Sequence, residues 1–334
     1  MRAAVFHEHG DLENVRVEQF PDPEIGEGEC LLKVKAVSLN GFDPMVLRRI
    51  PGLRTPLPMI FGADVSAEIV ELGEGVDTEK WQVGQRVGIE PSQHDGMMGE
   101  TKRGGLCEFV SARQEYLVPI PDGVSDVQAA CLPTAYGTAH RLLHTRAQVR
   151  EGETILILGA TGGVGTCCVQ LANLAGCQVI ACASSSEKAA KLTEIGADHV
   201  IDTSQDDFVE WVIAKFGKPR TRGHSGGVDV CVNYIGGESW ARSFRTVKRG
   251  GRIVTCGATT GYDPKTDLRY IWSFEYTILG ANGWQRSDHE AVLGLIEAGR
   301  LDPAIHAVRP MDDIRFSLGE MIKRQVFGKS VLVP

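Results

Sequence analysis

Four glycines between residues 159 and 165 follow a short apolar run and could bind a phosphate group. The run, residues 155–158, predicts a buried strand, and the residues after Gly165 predict an amphipathic helix. The first N–H groups of such a helix attract a pyrophosphate, and glycines let the backbone approach it. We therefore expect a dinucleotide here, although the spacing Gly-x-x-Gly-x-x-Gly is one residue longer than usual; a tight turn without a ligand is the alternative. The expected contacts are Gly159, Thr161, Gly162, Gly163 and Val164.

The end of the second predicted strand bears on which dinucleotide binds. Residues 178–183 form that strand, and Ser184, Ser185 and Lys188 follow it. A site for NAD usually has an acid here, which holds the ribose 2′-hydroxyl. Hydroxyls and a lysine can hold a 2′-phosphate, so the sequence favours NADP(H). In the alternative interpretation Ser186 only caps the next helix and Lys188 is solvated, although both roles can coexist. Glu187 is a mild argument against a phosphate.

Two later strand ends are expected to line the same cofactor. Ligands of such sheets bind at the carboxyl ends of parallel strands. The predicted strands at residues 228–232 and 252–255 both end just before small or polar residues. The expected contacts from these ends are Asn233, Gly257, Ala258 and Thr259.

The elements that must position these residues follow two patterns along the chain. Up to about residue 120, short alternating runs broken by glycine turns predict a β domain. From about residue 125, apolar strands alternate with helices, which predicts a parallel sheet covered on both faces. The predicted fold class is therefore α/β, with a doubly wound domain at residues 125–302. Residues 1–124 form the first domain, together with a strand-like segment within residues 303–334.

Composition excludes several classes of partner. The chain has 334 residues and a net charge of −8, which argues against binding of nucleic acid or of an anionic membrane. No apolar stretch is long enough to span a membrane, and the apolar run at the start is too short for a signal peptide. We expect a cytoplasmic protein. The nine cysteines include no C-x-x-C pair, so buried free thiols are expected.

Eight motifs follow one another along the chain, at residues 38–43, 62–64, 83–87, 118–123, 159–165, 192–198, 250–252 and 328–329. In their types and order they resemble those of the medium-chain dehydrogenase/reductase superfamily, and in particular its zinc-independent, quinone-oxidoreductase-like branch. The resemblance covers nearly the whole chain. It implies a GroES-like N-terminal domain, a Rossmann domain, a C-terminal strand that rejoins the first domain, and a homodimer that acts on a small molecule.

The resemblance also bears on a catalytic zinc ion. Where zinc-dependent members have a cysteine and then a His-Glu pair, this chain has Asn40 and then Ala63 and Asp64. Cys131 lies near the place of the third ligand but cannot hold the metal alone, since a catalytic zinc takes three protein ligands. We therefore expect no catalytic metal.

A second, structural zinc would belong to a lobe at residues 90–107. Relatives with this metal have four closely spaced cysteines there, whereas this chain has Cys107 alone. We expect no metal in this lobe. A weak site made by His94, Asp95 and Glu100 is the alternative.

The expected absence of a metal favours one type of reaction. Without a Lewis acid a plain ketone is poorly polarised, whereas an activated double bond needs less help. Hydride from NADPH can add to the β-carbon of an enone, quinone or enoyl thioester, while hydrogen-bond donors stabilise the developing enolate. A proton then returns to the α-carbon. The predicted function is this reduction; a metal-free alcohol or carbonyl dehydrogenase and a non-catalytic NADPH-binding protein are the alternatives.

Three residues are candidates for catalysis, and two more are expected beside the cofactor. Asn40 could donate to the substrate carbonyl, contact the nicotinamide ribose or form a turn, and Asp43 could orient neighbours or cap a helix. Tyr136 is a candidate proton donor, with core packing as the stronger alternative. Thr138 resembles the threonine beside the nicotinamide in this branch. Lys329, from the Gly-Lys motif near the C-terminus, is also expected at the cofactor.

Overall fold

The chain folds as two compact units. A computed structural model describes all 334 residues. The first unit contains Met1–Ala135 and His289–Pro334, and the second is the continuous segment Tyr136–Asp288. The sequence pattern puts the boundaries after residues 124 and 302 instead. The helix that starts after Ser125 belongs with the first unit because the end of a strand in that unit holds it, with Ser38 Oγ donating to the Ala130 carbonyl at 2.8 Å.

The first unit is built mainly from antiparallel strands. Its strands are β1 (Arg2–Phe6), β2 (Val15–Gln19), β3 (Glu29–Ser38), β4 (Met59–Ile60), β5 (Asp64–Leu72), β6 (Arg86–Ile89), β7 (Ser92–Gln93), β8 (Gly96–Met97), β9 (Phe109–Arg113), β10 (Leu117–Pro119), β17 (Ile305–Pro310) and β18 (Lys329–Val333). The largest sheet has the order β10-β6-β5-β3-β18-β17, and β9 also pairs with β3. A second sheet has the order β2-β1-β4, and β7 pairs with β8. Its helices are α1 (Asp43–Leu47), α2 (Asp126–Ala130) and α10 (Ile314–Ile322).

Alternation along β3 explains how the largest sheet forms its core. Leu32 and Val34 are buried, whereas Lys33 between them is exposed, as a strand with one face on a core requires. The C-terminal strand β18 is buried beside β3, which it pairs with in antiparallel fashion. The C-terminal segment therefore folds with the N-terminal one, as the family resemblance implies.

The second unit is a six-stranded sheet with helices. Its strands are β11 (Thr154–Ile157), β12 (Gln178–Ala183), β13 (His199–Asp202), β14 (Val228–Val232), β15 (Val247–Thr255) and β16 (Thr277–Gly280). The order is β13-β12-β11-β14-β15-β16, and every pair is parallel. The order runs outward in both directions from β11, so the predicted doubly wound fold is confirmed. Its helices are α3 (Thr138–His140), α4 (Gly163–Leu174), α5 (Ser186–Glu194), α6 (Phe208–Phe216), α7 (Gly237–Ser243) and α8 (Leu268–Phe274), and α9 (Arg286–Glu297) crosses the boundary into the first unit.

The cysteines have the state that the sequence predicts. All nine cysteines are free thiols, eight of them are buried, and Cys256 is partly exposed. This confirms the prediction of buried free thiols.

None of the helices has both the length and the apolar character that crossing a membrane requires.

Candidate active site

Three neighbouring strand ends of the first unit bring buried polar side chains together. β3 ends at Ser38, β5 begins at Asp64 and β18 begins at Lys329, and β3 lies between the other two strands. Asn40 and Asp43 follow β3 along the chain. Each of these five residues is at most 5% exposed. Because buried charges are costly unless they are paired, the charged members of this group must find partners nearby. We call these five residues and Thr134 the buried polar cluster.

The Asp64 carboxylate is the main acceptor of the buried polar cluster. Its Oδ1 accepts from the backbone N–H of Thr134 at 3.0 Å and from the Thr134 hydroxyl at 2.6 Å. Its Oδ2 accepts from Asn40 Nδ2 at 3.0 Å and from Lys329 Nζ at 3.3 Å. Both oxygens are therefore bonded, and the negative charge lies beside an ammonium group. Thr134 has no place among the sequence candidates, since nothing in its local sequence marks it.

The Asn40 amide is held in one orientation. Lys329 Nζ donates to Asn40 Oδ1 at 2.6 Å, while Asn40 Nδ2 donates to Asp64. An ammonium can only donate and an ionised carboxylate can only accept, so these two partners fix which end of the amide is oxygen. Nδ2 carries a second N–H, for which the protein supplies no acceptor. The arrangement thus offers one oriented hydrogen-bond donor to a ligand. The Gly-Lys motif puts Lys329 at the cofactor, but in the structure its ammonium belongs to this cluster.

Asp43 is a buried acid at the edge of the same cluster. Its Oδ2 accepts from the backbone N–H of Asn40 at 2.6 Å, and its Oδ1 has no hydrogen-bond partner. Burial raises the pKa of the Asp43 carboxyl from 3.8 to about 7. The Asn40 N–H and the charge of Lys329 oppose that rise, and the charge of Asp64 adds to it. Asp43 is therefore largely protonated in mildly acidic solution.

We expect Asp43→Asn to remove a pH dependence of stability. The folded protein holds the Asp43 proton up to about pH 7, whereas the unfolded chain releases it near pH 4, so the folded state binds more protons between these values. The free energy of unfolding that this group contributes is fully present below about pH 4. About 4 kcal/mol of it is lost as pH rises to about 7. Urea denaturation of both proteins at a series of pH values measures this difference. If the free energies of unfolding of the two proteins changed in parallel between about pH 4 and pH 7, the raised pKa of Asp43 would be contradicted.

The glycine turn of the second unit has the shape that a phosphate requires. Gly159 has a φ of +72°, and Gly162 forms the N-cap of α4 without any side-chain cap. The first N–H groups of α4, beginning with Gly163, are thus left for a ligand. A Cβ at Gly165 would overlap the Gly159 carbonyl oxygen and come within 2.6 Å of the Tyr234 hydroxyl. The turn therefore fits a dinucleotide pyrophosphate, with Thr161 and Val164 in the same segment.

Tyr234 supports this turn, and sequence reasoning misses it. It follows β14 directly, and its hydroxyl donates to the Gly159 carbonyl at 2.6 Å. Burial raises the pKa of the Tyr234 hydroxyl well above its ordinary value, so it stays protonated and remains a donor. The one signal in the sequence is that Tyr234 follows Asn233, a predicted cofactor contact. Both residues lie at the carboxyl end of a parallel strand, where ligands of such sheets bind.

Asn233 shapes the loop after β14. It is fully buried, its Oδ1 accepts from the N–H groups of Ile235 and Gly236 at 3.0 and 3.1 Å, and its Nδ2 donates to Ser243 Oγ at 2.8 Å. The loop after β15 lies beside it, since the Thr259 N–H donates to the Tyr234 carbonyl at 3.3 Å. The structure thus brings together the two predicted strand ends, with Gly257 and Ala258 in the second of them.

Two of the three serines after β12 have hydrogen-bond partners within the protein. Ser185 caps α5 by accepting from the Lys188 N–H, and Ser184 is exposed. Ser186 Oγ donates to Asp202 Oδ2 at 2.7 Å, and Asp202 pairs with the last residue of β12. Hydrogen bonds from Ser204 and Ser186 lower the pKa of the Asp202 carboxyl, which keeps it ionised. A carboxylate beside this strand end is a feature that the sequence around residues 184–188 does not reveal.

Tyr136 and Thr138 lie at the start of the second unit. Tyr136 is completely buried, and its hydroxyl donates to Gln170 Oε1 at 2.6 Å. These are the features of the core-packing alternative. Thr138 begins α3, which lies between two π-helical segments, Leu132–Gly137 and Arg141–Ala147. Such segments often occur at functional sites.

The residues of the alternative metal site in the lobe at residues 90–107 do not come together around one point. Asp95 pairs with Lys102 at 2.9 Å, which lowers the pKa of the Asp95 carboxyl, and His94 Nδ1 contacts the Tyr116 hydroxyl at 2.6 Å. Burial raises the pKa of the Glu100 carboxyl. No group of three His, Cys, Asp or Glu side chains comes together in a way that could hold a metal ion.

Both parts of the chain are similar to known dehydrogenase families. Residues 26–122 match the alcohol dehydrogenase GroES-like domain family, and residues 163–298 match the zinc-binding dehydrogenase family. Crotonyl-CoA reductase of Streptomyces avermitilis is 29% identical over 347 residues, covering 90% of this chain and 77% of the relative.

Two solved structures extend this similarity to the fold. The structure of an NAD-dependent alcohol dehydrogenase has a TM-score of 0.90 and 28% identity to this chain, and the match covers 100% of both chains. That of the quinone oxidoreductase from Coxiella burnetii has a TM-score of 0.84 and 26% identity, covering 100% of this chain and 99% of the other. The similarity therefore runs through the whole chain.

Proposed function

Since this chain belongs to the medium-chain dehydrogenase/reductase superfamily, we propose that it reduces an activated carbon–carbon double bond with NADPH and without zinc. The first unit is a GroES-like domain and the second a Rossmann domain. The chain is an oxidoreductase that uses a nicotinamide cofactor and acts on a small molecule. The proposed substrate is an enone, a quinone or an enoyl thioester. The similarity to crotonyl-CoA reductase favours the thioester.

The oriented Asn40 amide carries this proposal. When bound, the nicotinamide cofactor would supply a hydride for the β-carbon of the substrate. Negative charge then develops on the substrate oxygen, where a preorganised hydrogen-bond donor stabilises it. The second N–H of Asn40 Nδ2 is such a donor, because Lys329 and Asp64 hold the other polar atoms of the amide. The α-carbon then takes a proton, for which protonated Asp43 is the candidate source.

The residues around Asn40 do not suit a zinc ion. Zinc requires ligands that donate electron pairs, from cysteine, histidine or carboxylate. Here the Asn40 oxygen and the Asp64 carboxylate both accept from the Lys329 ammonium, and a second cation beside that ammonium would be repelled. Burial also raises the pKa of the Cys131 thiol to about 12, so it is not a thiolate at neutral pH. We therefore derive no step that uses a metal.

The glycine turn and Lys188 would hold NADP(H). The free N–H groups at the start of α4 suit the pyrophosphate. Asp202 lies beside the end of β12, where its carboxylate would oppose a 2′-phosphate, and Ser186 is already bonded to it. The preference for NADP(H) therefore depends on the Lys188 ammonium, with Ser184 as an exposed hydroxyl nearby in the chain.

We expect Lys188→Met to weaken NADPH binding selectively. A charge-assisted bond to the 2′-phosphate would be lost, which raises the Kd for NADPH by roughly 10- to 100-fold and leaves that for NADH unchanged. Titration of the protein with each cofactor, followed by its intrinsic fluorescence, measures both dissociation constants. Lys191→Met is the matched control, since Lys191 lies on the same helix and pairs with Glu187. Equal weakening of both cofactors, or tighter binding of NADH by the unmodified protein, would contradict the NADP(H) assignment.

A small activity panel tests the proposed reaction. NADPH oxidation is followed by absorbance with crotonyl-CoA, an enone, a quinone and a simple ketone. We expect reduction of the first three and none of the ketone. Reaction of the ketone or its alcohol alone would favour the metal-free dehydrogenase, and tight NADPH binding without turnover would favour a binding protein. Elemental analysis showing one zinc per chain would disprove the metal-free proposal.

A further inference from the structure

Lys329 is a buried ammonium whose partners all belong to the buried polar cluster. It begins β18 and is 2% exposed. Burying a lysine is costly, and the cost is offset only by close acceptors. The acceptors are Asn40 Oδ1 at 2.6 Å and Asp64 Oδ2 at 3.3 Å. The shorter of the two bonds is thus to the neutral amide and not to the carboxylate.

The short bond to Asn40 affects the opposite end of that amide. A proton donor at the amide oxygen draws electron density from the nitrogen, so the N–H groups become stronger donors. The carboxylate of Asp64 takes one of the two N–H groups of Nδ2, and the other remains for a ligand. Lys329 and the ligand are therefore coupled through a single planar group.

We propose that Lys329 is a positioning residue that orients and polarises the Asn40 amide, so that the positive charge stabilising the substrate oxygen comes from a lysine. This inference rests on the proposed reduction of an activated double bond and identifies the source of its electrostatic stabilisation. Lys329 does not touch the substrate in this scheme. It acts through Asn40, and Asp64 balances its charge.

The reach of the Lys329 charge supports this role. Lys329 lowers the pKa of both the Asp43 carboxyl and the Cys131 thiol, against the larger effect of burial. The field of the ammonium thus extends beyond its two hydrogen-bond partners. The competing explanation is that Lys329 only neutralises Asp64 and holds β18 in place.

Two variants separate these explanations. In Asp64→Asn the ammonium still has Asn40 as a partner, and in the double variant Asp64→Asn, Lys329→Met it is absent. Neither leaves the Asp64 carboxylate without its cation, although in Asp64→Asn the ammonium loses its counter-charge and keeps the Asn40 amide oxygen as an acceptor. The pair therefore differs only in the ammonium group.

The first measurement needs neither cofactor nor turnover. Asparagine side chains are labelled with ¹⁵N, and the Asn40 signal is identified by its loss in Asn40→Ala. We expect the Nδ2 protons of Asn40 to move upfield in the double variant relative to Asp64→Asn, because the amide is less polarised. Unchanged shifts would overturn the inference.

The second measurement compares two substrates. The enolate of crotonyl-CoA is strongly basic and gains much from a donor, whereas the anion from a quinone is weakly basic and gains little. Relative to Asp64→Asn, we expect the double variant to lose about 100-fold in kcat with crotonyl-CoA, less than about 5-fold with the quinone, and little in KM. Equal losses with both substrates would overturn the role of Lys329. If the unmodified protein reduces neither substrate, it is the proposed function itself that fails.

Discussion

Replacing Asp64 by alanine is expected to lower the free energy of unfolding by about 3–5 kcal/mol. The carboxylate accepts hydrogen bonds from Thr134, Asn40 and Lys329, and it is completely buried. Its removal leaves the Lys329 ammonium buried without a counter-charge. Hydrogen exchange read by mass spectrometry is the suitable measurement, because it reports β3, β5 and β18 separately from the second unit. We expect the loss of protection to be concentrated in these three strands.

A double variant provides the control for this prediction. Asp64→Ala, Lys329→Met removes both charges, so it should be less destabilised than Asp64→Ala alone. Additive destabilisation of the two single substitutions would show that the charges do not interact. That result would contradict the pairing seen in the structure.

Replacing Gly165 by alanine is expected to abolish high-affinity cofactor binding. The new methyl group would overlap the Gly159 carbonyl and press on the Tyr234 hydroxyl, which itself holds that carbonyl. Backbone atoms cannot move aside as a flexible side chain can, so the turn must shift, at a cost of about 1–3 kcal/mol. A loss of that size in a site that must match a pyrophosphate corresponds to an increase of about 5- to 140-fold in Kd. Calorimetric titration with NADPH measures it.

Gly294 offers a matched control for the same substitution. It lies inside α9, it is exposed, and an added Cβ would meet nothing within 4 Å. Gly294→Ala should stabilise the helix by up to about 1 kcal/mol and leave NADPH binding unchanged. If Gly165→Ala binds NADPH as tightly as Gly294→Ala does, the assignment of the phosphate turn is wrong.

Local sequence patterns were sufficient to predict most of the second unit. The strand Gln178–Ala183 has the predicted limits, and the glycine turn lies between β11 and α4 as expected. Both depend on short-range signals: apolar runs, the periodicity of a helix, and glycines at a strand end. The parallel direction of the strands follows from the alternation of strands and helices.

The buried polar cluster depends on information that local patterns lack. Asn40 and Asp43 were candidates because of their motif, but Asp64 and Lys329 contact Asn40 only because β5 and β18 lie on either side of β3. Strand order in an antiparallel sheet is set by long-range packing, and one neighbour comes from the far end of the chain. The hydrogen bond between Lys329 and Asn40 joins residues 289 positions apart. The assignment of α2 depends on the same kind of information, since α2 has an ordinary helix start and only tertiary contacts assign it to the first unit.

The position of β18 between β3 and β17 also determines when this protein can complete its fold during synthesis. Asn40 and Asp64 leave the ribosome early, but Lys329 follows only after all of Tyr136–Asp288 has been made. Contacts of such high sequence separation form late. Until then the Asp64 carboxylate has no ammonium partner, and β3 has an unpaired edge where β18 will lie. The nascent chain can therefore finish its second unit before its first.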